Sequence, residues 1–464
     1  MKRQSGILLP VFSLPSEFGC GNFGDAAYEW IDRLCEGGFS LWQVLPLGIP
    51  DGYNSPYASL SSFAGNPFFI DPSELYRQGL VTDEELTAER IQEKYFCRYD
   101  ILRARRYTFL KKAAMRVRSK APIDEFFKEN PRISDVCAFL AKRESPDGKL
   151  NLDDMLAHRF IQYEFHRQWQ RLHSYANERG VKIIGDIPFY VSADSCDVYS
   201  YPELFMLDGS GRPSEVAGVP PDYFSEDGQY WGNPIYDFEA MEKDGYRLWR
   251  DRLAYALYMF DSVRIDHFRA ISAYWSIPRG AQSAKEGRWI KGPGERLIDA
   301  LRPLTDGRLI LAENLGITDA DTESLLEYSG YYGMAVLQFG FGGDPLSPHL
   351  PHNYKRKLAA YTGTHDNNTM LGFIFDLDGD AREAVLDYLG RPRDAVFEAV
   401  RALLMSSADI VIFPLQDLLS YGGDTRINTP GVALGSWQYR VTREQLDSVD
   451  WKGLSEMNKR YGRY

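Results

Sequence analysis

Residues 246–266 read YRLWRDRLAYALYMFDSVRID, and two kinds of structure meet inside them. From Tyr246 to Phe260 apolar residues recur at helical spacing, whereas Ser262–Asp266 is a short β-branched run that ends on a carboxylate. A helix delivered straight into a short apolar strand is half of a βαβ unit. The acid stands at the strand's C-terminal end, where parallel barrels present side chains to ligands.

The same alternation runs through the chain on both sides. Strands are expected at Ile7–Val11, Ser40–Leu47, Val181–Ile187, Ser262–Asp266, Leu309–Glu313, Ala335–Phe339, Leu358–Thr362 and Asp409–Pro414. Amphipathic helical stretches at Asp25–Glu36, Met155–Arg179, Tyr246–Phe260 and Arg382–Met405 lie between them. Strands and helices that alternate, joined by right-handed crossovers, predict the α/β class and a (β/α)8 TIM barrel with helical and loop insertions between strands.

A bare barrel takes roughly 250 residues, and this chain has 464. The whole of 1–464 is read as one catalytic barrel. Residues 48–154 hold a Ser/Asn/Pro-rich loop and then a helical insertion subdomain at 70–154; a second, aromatic loop insertion at 188–240 is expected over the active site. The basic run Arg103–Lys120 reads as the solvated face of a helix.

A formal net charge of -12 argues against a nucleic-acid partner and fits a neutral substrate. Aromatic residues make up 14% of the chain, which suits flat apolar ligands as well as large cores and interfaces. Cys20, Cys35, Cys97, Cys137 and Cys196 are odd in number and scattered, as free thiols in a reducing compartment are; the expected address is cytoplasmic. The apolar stretch after Lys2 and Arg3 is too short for a signal peptide, and no apolar run is long enough to span a bilayer. No metal is expected, since no Cys/His or HExxH spacing occurs.

Three acids finish strands or follow them closely: Asp266 ends SVRID, Glu313 ends LILAE, and Asp366 closes YTGTHD. Barrel topology lets all three converge in the mouth. A retaining glycosidase chemistry needs one carboxylate as nucleophile and a second, initially protonated, as acid. Arg264, two positions before Asp266 on the same strand face, can keep that carboxylate ionised, which leaves Glu313 as acid/base. Asp366 with His365, and His267, are placed to bond sugar hydroxyls.

Two loops add aromatic and amide groups. In GVPPDYFSEDGQYWGNPIY (218–236), Tyr223, Phe224, Tyr230 and Trp231 are candidate stacking rings, with Asp222, Gln229 and Asn233 as polar partners. In YNSPYASLSSFAGNPFF (53–69), Ser55, Tyr57 and Asn66 are candidate wall residues, although turn chemistry explains Asn and Pro there equally well. Trp437, and Asn428 with Arg426, are candidates for the far side.

Together VRIDHFRA (263–270), LAENLG (311–316) and GTHDNNT (363–369) resemble the three catalytic blocks of the amylomaltases, the 4-α-glucanotransferases of glycoside hydrolase family 77. SGILLPVFSLPSEFGCGNFG, WQVLPLG, SPYASLSSFAGNP, IIGDIPFYVSADSCDVY and DTRINTPG extend the resemblance over essentially the whole chain. It implies Asp266 as nucleophile, Glu313 as acid/base, Asp366 as transition-state stabiliser, and sugar contacts from Arg264, His365 and Tyr57; Asp186 and Asn314 are further candidate substrate-binding residues. It also implies transfer of a 1,4-α-glucan segment from a malto-oligosaccharide to another glucan's 4-hydroxyl, without a cofactor. Ala270 and Asn314 depart from the Gly and Asp common in those blocks, and Asn314 is expected to lower the Glu313 pKa slightly. Residue spacing alone leaves open an α-amylase-like hydrolase with the same acids, and a barrel that only binds glucan.

Overall fold

The computed structural model describes residues 2–464 apart from 222–225, 317–318 and 433. Eight parallel strands form its centre: β1 (Gln4–Leu8), β2 (Leu41–Gln43), β3 (Lys182–Ile187), β4 (Ser262–Ile265), β5 (Ile310–Ala312), β6 (Gly333–Val336), β7 (Leu358–Tyr361) and β8 (Ile410–Pro414). Their hydrogen-bonded order is β6-β7-β8-β1-β2-β3-β4-β5. Closure falls to Tyr332, which donates to Ile310 O and whose carbonyl accepts from Ala312 N–H. A barrel buried on both strand faces explains why these runs are almost continuously apolar.

The strands sit at the apolar runs, but β2 covers only Leu41–Gln43 of the expected Ser40–Leu47, β6 lies at Gly333–Val336 ahead of the expected Ala335–Phe339, whose end is the 3-10 turn Leu337–Phe341, and β1 is shifted. β1 begins at Gln4, whose N–H donates to Asp409 O, and stops at Leu8 short of the expected Val11, because Pro10 offers no N–H to the ladder and Val11–Ser13 curls into a 3-10 turn. Gly6 is needed at that register, since a Cβ there would lie 2.6 Å from Leu41 Cβ. The helix Asp25–Glu36 has the expected bounds, whereas the expected Arg382–Met405 is two helices, Gly379–Tyr388 and Ala395–Met405. The break contains Gly390 and Arg391, both at positive φ, followed by Pro392.

Between β2 and β3 run helices Pro72–Arg77, Asp83–Glu89, Tyr99–Met115, Ala121–Glu129 and Pro131–Glu144, then the long Leu152–Glu178. The basic run is not wholly solvated. Arg106 is buried, pairs with Glu89 at 3.0 Å, and donates to the carbonyls of Phe18, Phe68 and Ile70. It ties this helical layer to the loops above β1 and β2.

The excursion after β3 is more ordered than a loop. Its strands Glu215–Val219 and Gln229–Pro234 pair with each other and join Ala273–Pro278 and Arg288–Lys291, which follow β4, in a four-stranded antiparallel sheet. At the barrel's other seam, β1 pairs with β8, and the last residues pin the first: Asn458 accepts from Ser5 Oγ at 2.7 Å and Arg463 donates to Gln4 O.

Candidate active site

β3, β4 and β5 run in a continuous register in which Asp186 faces Arg264, and Ile265 faces Ala312. The next step along β4 and β5 is Asp266 beside Glu313. Their backbones therefore stand about one interstrand spacing, roughly 4.8 Å, apart. Continuation of the ladder past the strand ends holds them there: Glu313 N–H donates to Ile265 O, and Phe268 N–H to Glu313 O.

Arg264 Nη1 lies 2.9 Å from Asp266 Oδ1 and 2.7 Å from Asp186 Oδ2, so one buried guanidinium serves two carboxylates. The Tyr57 hydroxyl donates to Asp186 Oδ2 at 2.7 Å. Burial raises the Asp186 carboxyl from its ordinary value, against the pull of Arg264.

Directly after Asp266 the backbone turns through His267 at φ 51°, a left-handed conformation unusual for a residue with a Cβ. The turn aims the His267 N–H at Glu313 Oε2 (2.8 Å), while Leu315 N–H donates to Oε1 at 2.7 Å. Burial lifts the Glu313 pKa to about 7; Arg264 and the two N–H groups oppose that rise, and the Asp266 charge adds to it. An acid poised near neutrality can give a proton and take one back. Burial also holds the His267 imidazole down to about 4, hence neutral at neutral pH, with Trp231 edge-on at 4.9 Å.

Asp366 stands beyond β7 with its Oδ1 accepting from Asn428 Nδ2 at 2.6 Å and Oδ2 3.2 Å from His365 Nε2. Burial alone would raise this carboxyl, but His365 and Asn428 hold it well below the usual range. His365 stacks on Tyr57 at 5.2 Å, and Trp437 packs against both rings.

These groups open into one cleft of about 520 Å³ at the C-terminal ends of the strands. Of the residues expected from sequence, Ser55, Tyr57, Gln229, Tyr230, Trp231, Asn233, Arg264, Asp266, His267, Glu313, His365, Asp366, Asn428 and Trp437 line it, and Arg426 does not. Three expectations need correction or replacement. Asn66 is buried as the cap of the 3-10 turn Pro67–Phe69, its side chain accepting from Phe68 N–H. Asn314 accepts from Met334 N–H at 2.8 Å and is directed at β6 instead of the cleft, as side-chain alternation along a strand demands. Asp186 does not line this cleft; its carboxylate is fully buried, where it pairs with Arg264 and accepts from the Tyr57 hydroxyl. Tyr223, like Asp222 and Phe224, falls outside the described residues.

Sequence reasoning missed Tyr190, Trp289 and Phe339 in the cleft wall. Trp289 faces Trp275 across the small sheet, with the Arg269 guanidinium 4.1 Å from its ring. The alternation in AYWSIP followed by GRWIK was a usable signal for that hairpin.

A parallel barrel that sets two unlike carboxylates side by side under an aromatic wall is an architecture for cleaving glycosidic bonds. The family model described as 4-alpha-glucanotransferase matches residues 9–151 and 140–446. The chain belongs to the 4-alpha-glucanotransferase family. It is 38% identical over 489 residues to the 4-alpha-glucanotransferase of Aquifex aeolicus, covering 99% of each chain. The same-named protein of Thermus thermophilus is 39% identical over 487 residues, 96% of each. The amylomaltase from Streptococcus agalactiae solved in complex with acarbose superposes with a TM-score of 0.95 at 34% identity over 100% of both chains. That of Corynebacterium glutamicum, at 19% identity and a TM-score of 0.83 over 100% of this chain and 75% of its own, shares the fold.

Proposed function

We propose that the protein transfers segments of 1,4-α-glucan between malto-oligosaccharides by a retaining double displacement. The observation that carries this reading is the pairing of Asp266, clamped 2.9 Å from Arg264, with Glu313 one register position across, lifted to about 7. Glu313 gives its proton to the glycosidic oxygen of the leaving glucan. Asp266 attacks the anomeric carbon and forms a glycosyl ester. The acceptor's 4-hydroxyl then loses its proton to the Glu313 carboxylate and displaces Asp266, so both acids return to their starting states.

Asp366, kept ionised, accepts hydrogen bonds from sugar hydroxyls and faces the positive charge that develops on the ring. Asn428, His365 and Tyr57 fix its position, and Tyr230, Trp231 and Trp289 offer faces to the glucan on either side. Ser55 belongs to the same wall. Water competes with the acceptor for the ester, so a wall that shields this carbon favours transfer over hydrolysis.

A cytoplasmic location is part of the same proposal, supported by five free cysteines among the described residues, four of them buried. No helix among those residues is long and apolar enough to cross a membrane.

Incubation of the purified protein with maltotriose, with products resolved by length over time, tests the reading. Glucose together with a ladder of longer malto-oligosaccharides is the expected result. Shorter sugars alone would make the protein a hydrolase, and an untouched substrate would remove malto-oligosaccharide transfer as its activity.

A further inference from the structure

Gly363 to Thr369 carry His365 and Asp366 from the end of β7 to the helix Met370–Asp376. The β7–β8 ladder stops at Tyr361, paired with Ile412, so the sheet itself does not hold this segment. Both flanks of the segment instead bond one side chain. Thr362 Oγ1 donates to Asp417 Oδ2 at 2.5 Å, and Met370 N–H donates to Asp417 Oδ1 at 2.7 Å.

Asp417 comes from the short helix Leu415–Leu418 that directly follows β8. It is buried and does not line the cleft. We propose that Asp417 is a positioning residue: it clips together the two ends of the segment and so sets where Asp366 and His365 stand over the reacting sugar. The inference rests on the role given to Asp366 above.

The other bonds of the segment do different work. Asn367 Oδ1 accepts from both the N–H and the hydroxyl of Thr364, which fixes the internal bend. Arg426 holds the Asp366 carbonyl at 2.6 Å and Asn428 its carboxylate, which fixes the aim. Neither anchors the segment to the barrel wall through β7 and β8. Asp417 does, from the helix that directly follows β8, the strand next to β7.

The residue type fits the task. Two donors converge from opposite ends of one segment, and a carboxylate offers each its own oxygen, whereas an amide has one acceptor. Burial pushes the Asp417 carboxyl up to about 6, opposed by the Thr362 and Met370 donors. A charge is thus kept in an apolar setting, where it costs stability unless its donors stay in place. Displacement of Thr362 or Met370 leaves that charge poorly solvated, and the clip resists such displacement.

Asp417→Ala is expected to lower kcat on maltotriose about a hundredfold, with KM changed less than about threefold, because a displacement near 1 Å costs that much. Asp417→Asn, which retains an acceptor for Met370 and can donate to Thr362, is expected to recover kcat to within about tenfold of the parent. The decisive measurement is a double-mutant cycle with Asp366→Asn, itself expected to lose about 10²- to 10³-fold. In that background the loss from Asp417→Ala should shrink below about tenfold, since the group it positions is gone.

A loss of tenfold or more there, or a rise in KM at unchanged kcat, overturns the proposal. If Asp366→Asn alone leaves kcat intact, the role of Asp366 fails instead, and the two failures are told apart. Should Asp417→Ala not fold, Thr362→Val takes its place in the cycle, with a smaller kcat loss expected and the same non-additivity required.

Discussion

The acids of the cleft floor and the aromatic rings of its wall are held by different means. Asp266 and Glu313 extend a parallel ladder, and their carboxylates meet Arg264 and backbone N–H groups at 2.7–2.9 Å. Tyr230, Trp231 and Trp289 stand on a smaller antiparallel sheet and are 36–46% exposed. The floor has its charges fixed before a sugar arrives, which is what transition-state stabilisation requires. The wall offers faces whose worth accumulates contact by contact. Substitutions on the floor should therefore act on kcat, and those on the wall on KM.

Asp266→Asn is the most severe test of that division: kcat on maltotriose should fall by on the order of 10⁴-fold or more, while calorimetric affinity for maltoheptaose is retained. Turnover within a hundredfold of the parent would remove Asp266 from the nucleophile's place. Next comes Arg264→Ala, which strands the buried Asp186 carboxylate and should cost about 3–5 kcal/mol of stability, read by urea unfolding. If stability is unchanged, the floor is less rigidly paired than its geometry implies.

Protonation gives a third test. Glu313 must carry a proton to act as acid, and burial raises its pKa to about 7. Activity under kcat/KM conditions should accordingly be full on the acid side of this value and fall about tenfold per pH unit above it. A profile flat from pH 6 to 9 would place the acid elsewhere. The smallest effect belongs to the wall: Trp289→Ala should raise KM for maltoheptaose by about three- to tenfold, the worth of one aromatic face, and leave kcat alone. A fall in kcat instead would mean that Trp289 shapes the floor.

The floor was also the more legible region. Parallel strands buried on both faces read as apolar runs, and an acid at the end of such a run has few other reasons to be there, so Asp266 and Glu313 stood out. QYWGNP does not look like a strand, because an exposed sheet tolerates Gly and Asn; AYWSIP and GRWIK carry a local hairpin signal, but the pairing that makes one sheet, Glu215–Val219 with Ala273–Pro278, joins residues 57 to 63 apart and has no local signal. Asn66 carries the same amide whether it caps a turn or bonds a sugar, and only the position of Phe68 N–H decides between them. Arg106 looked solvated because its neighbours in sequence are basic, while the carbonyls that hold it come from Phe18, Phe68 and Ile70. Asp417 was invisible for a similar reason: its two donors lie about fifty residues upstream.

The pairing of β1 with β8 also has a meaning in time. A chain made from its amino end offers Gln4–Leu8 a first neighbour as soon as Leu41–Gln43 emerges, but the other edge waits for Ile410–Pro414. Until that strand emerges, Gln4–Leu8 keeps a row of unpaired amides on one side, open to any passing strand. Closure then comes late, with the residues around Asn458 and Arg463 drawn back against Ser5 and Gln4. Of the barrel's eight strands, the first in the chain is among the last to be satisfied on both edges.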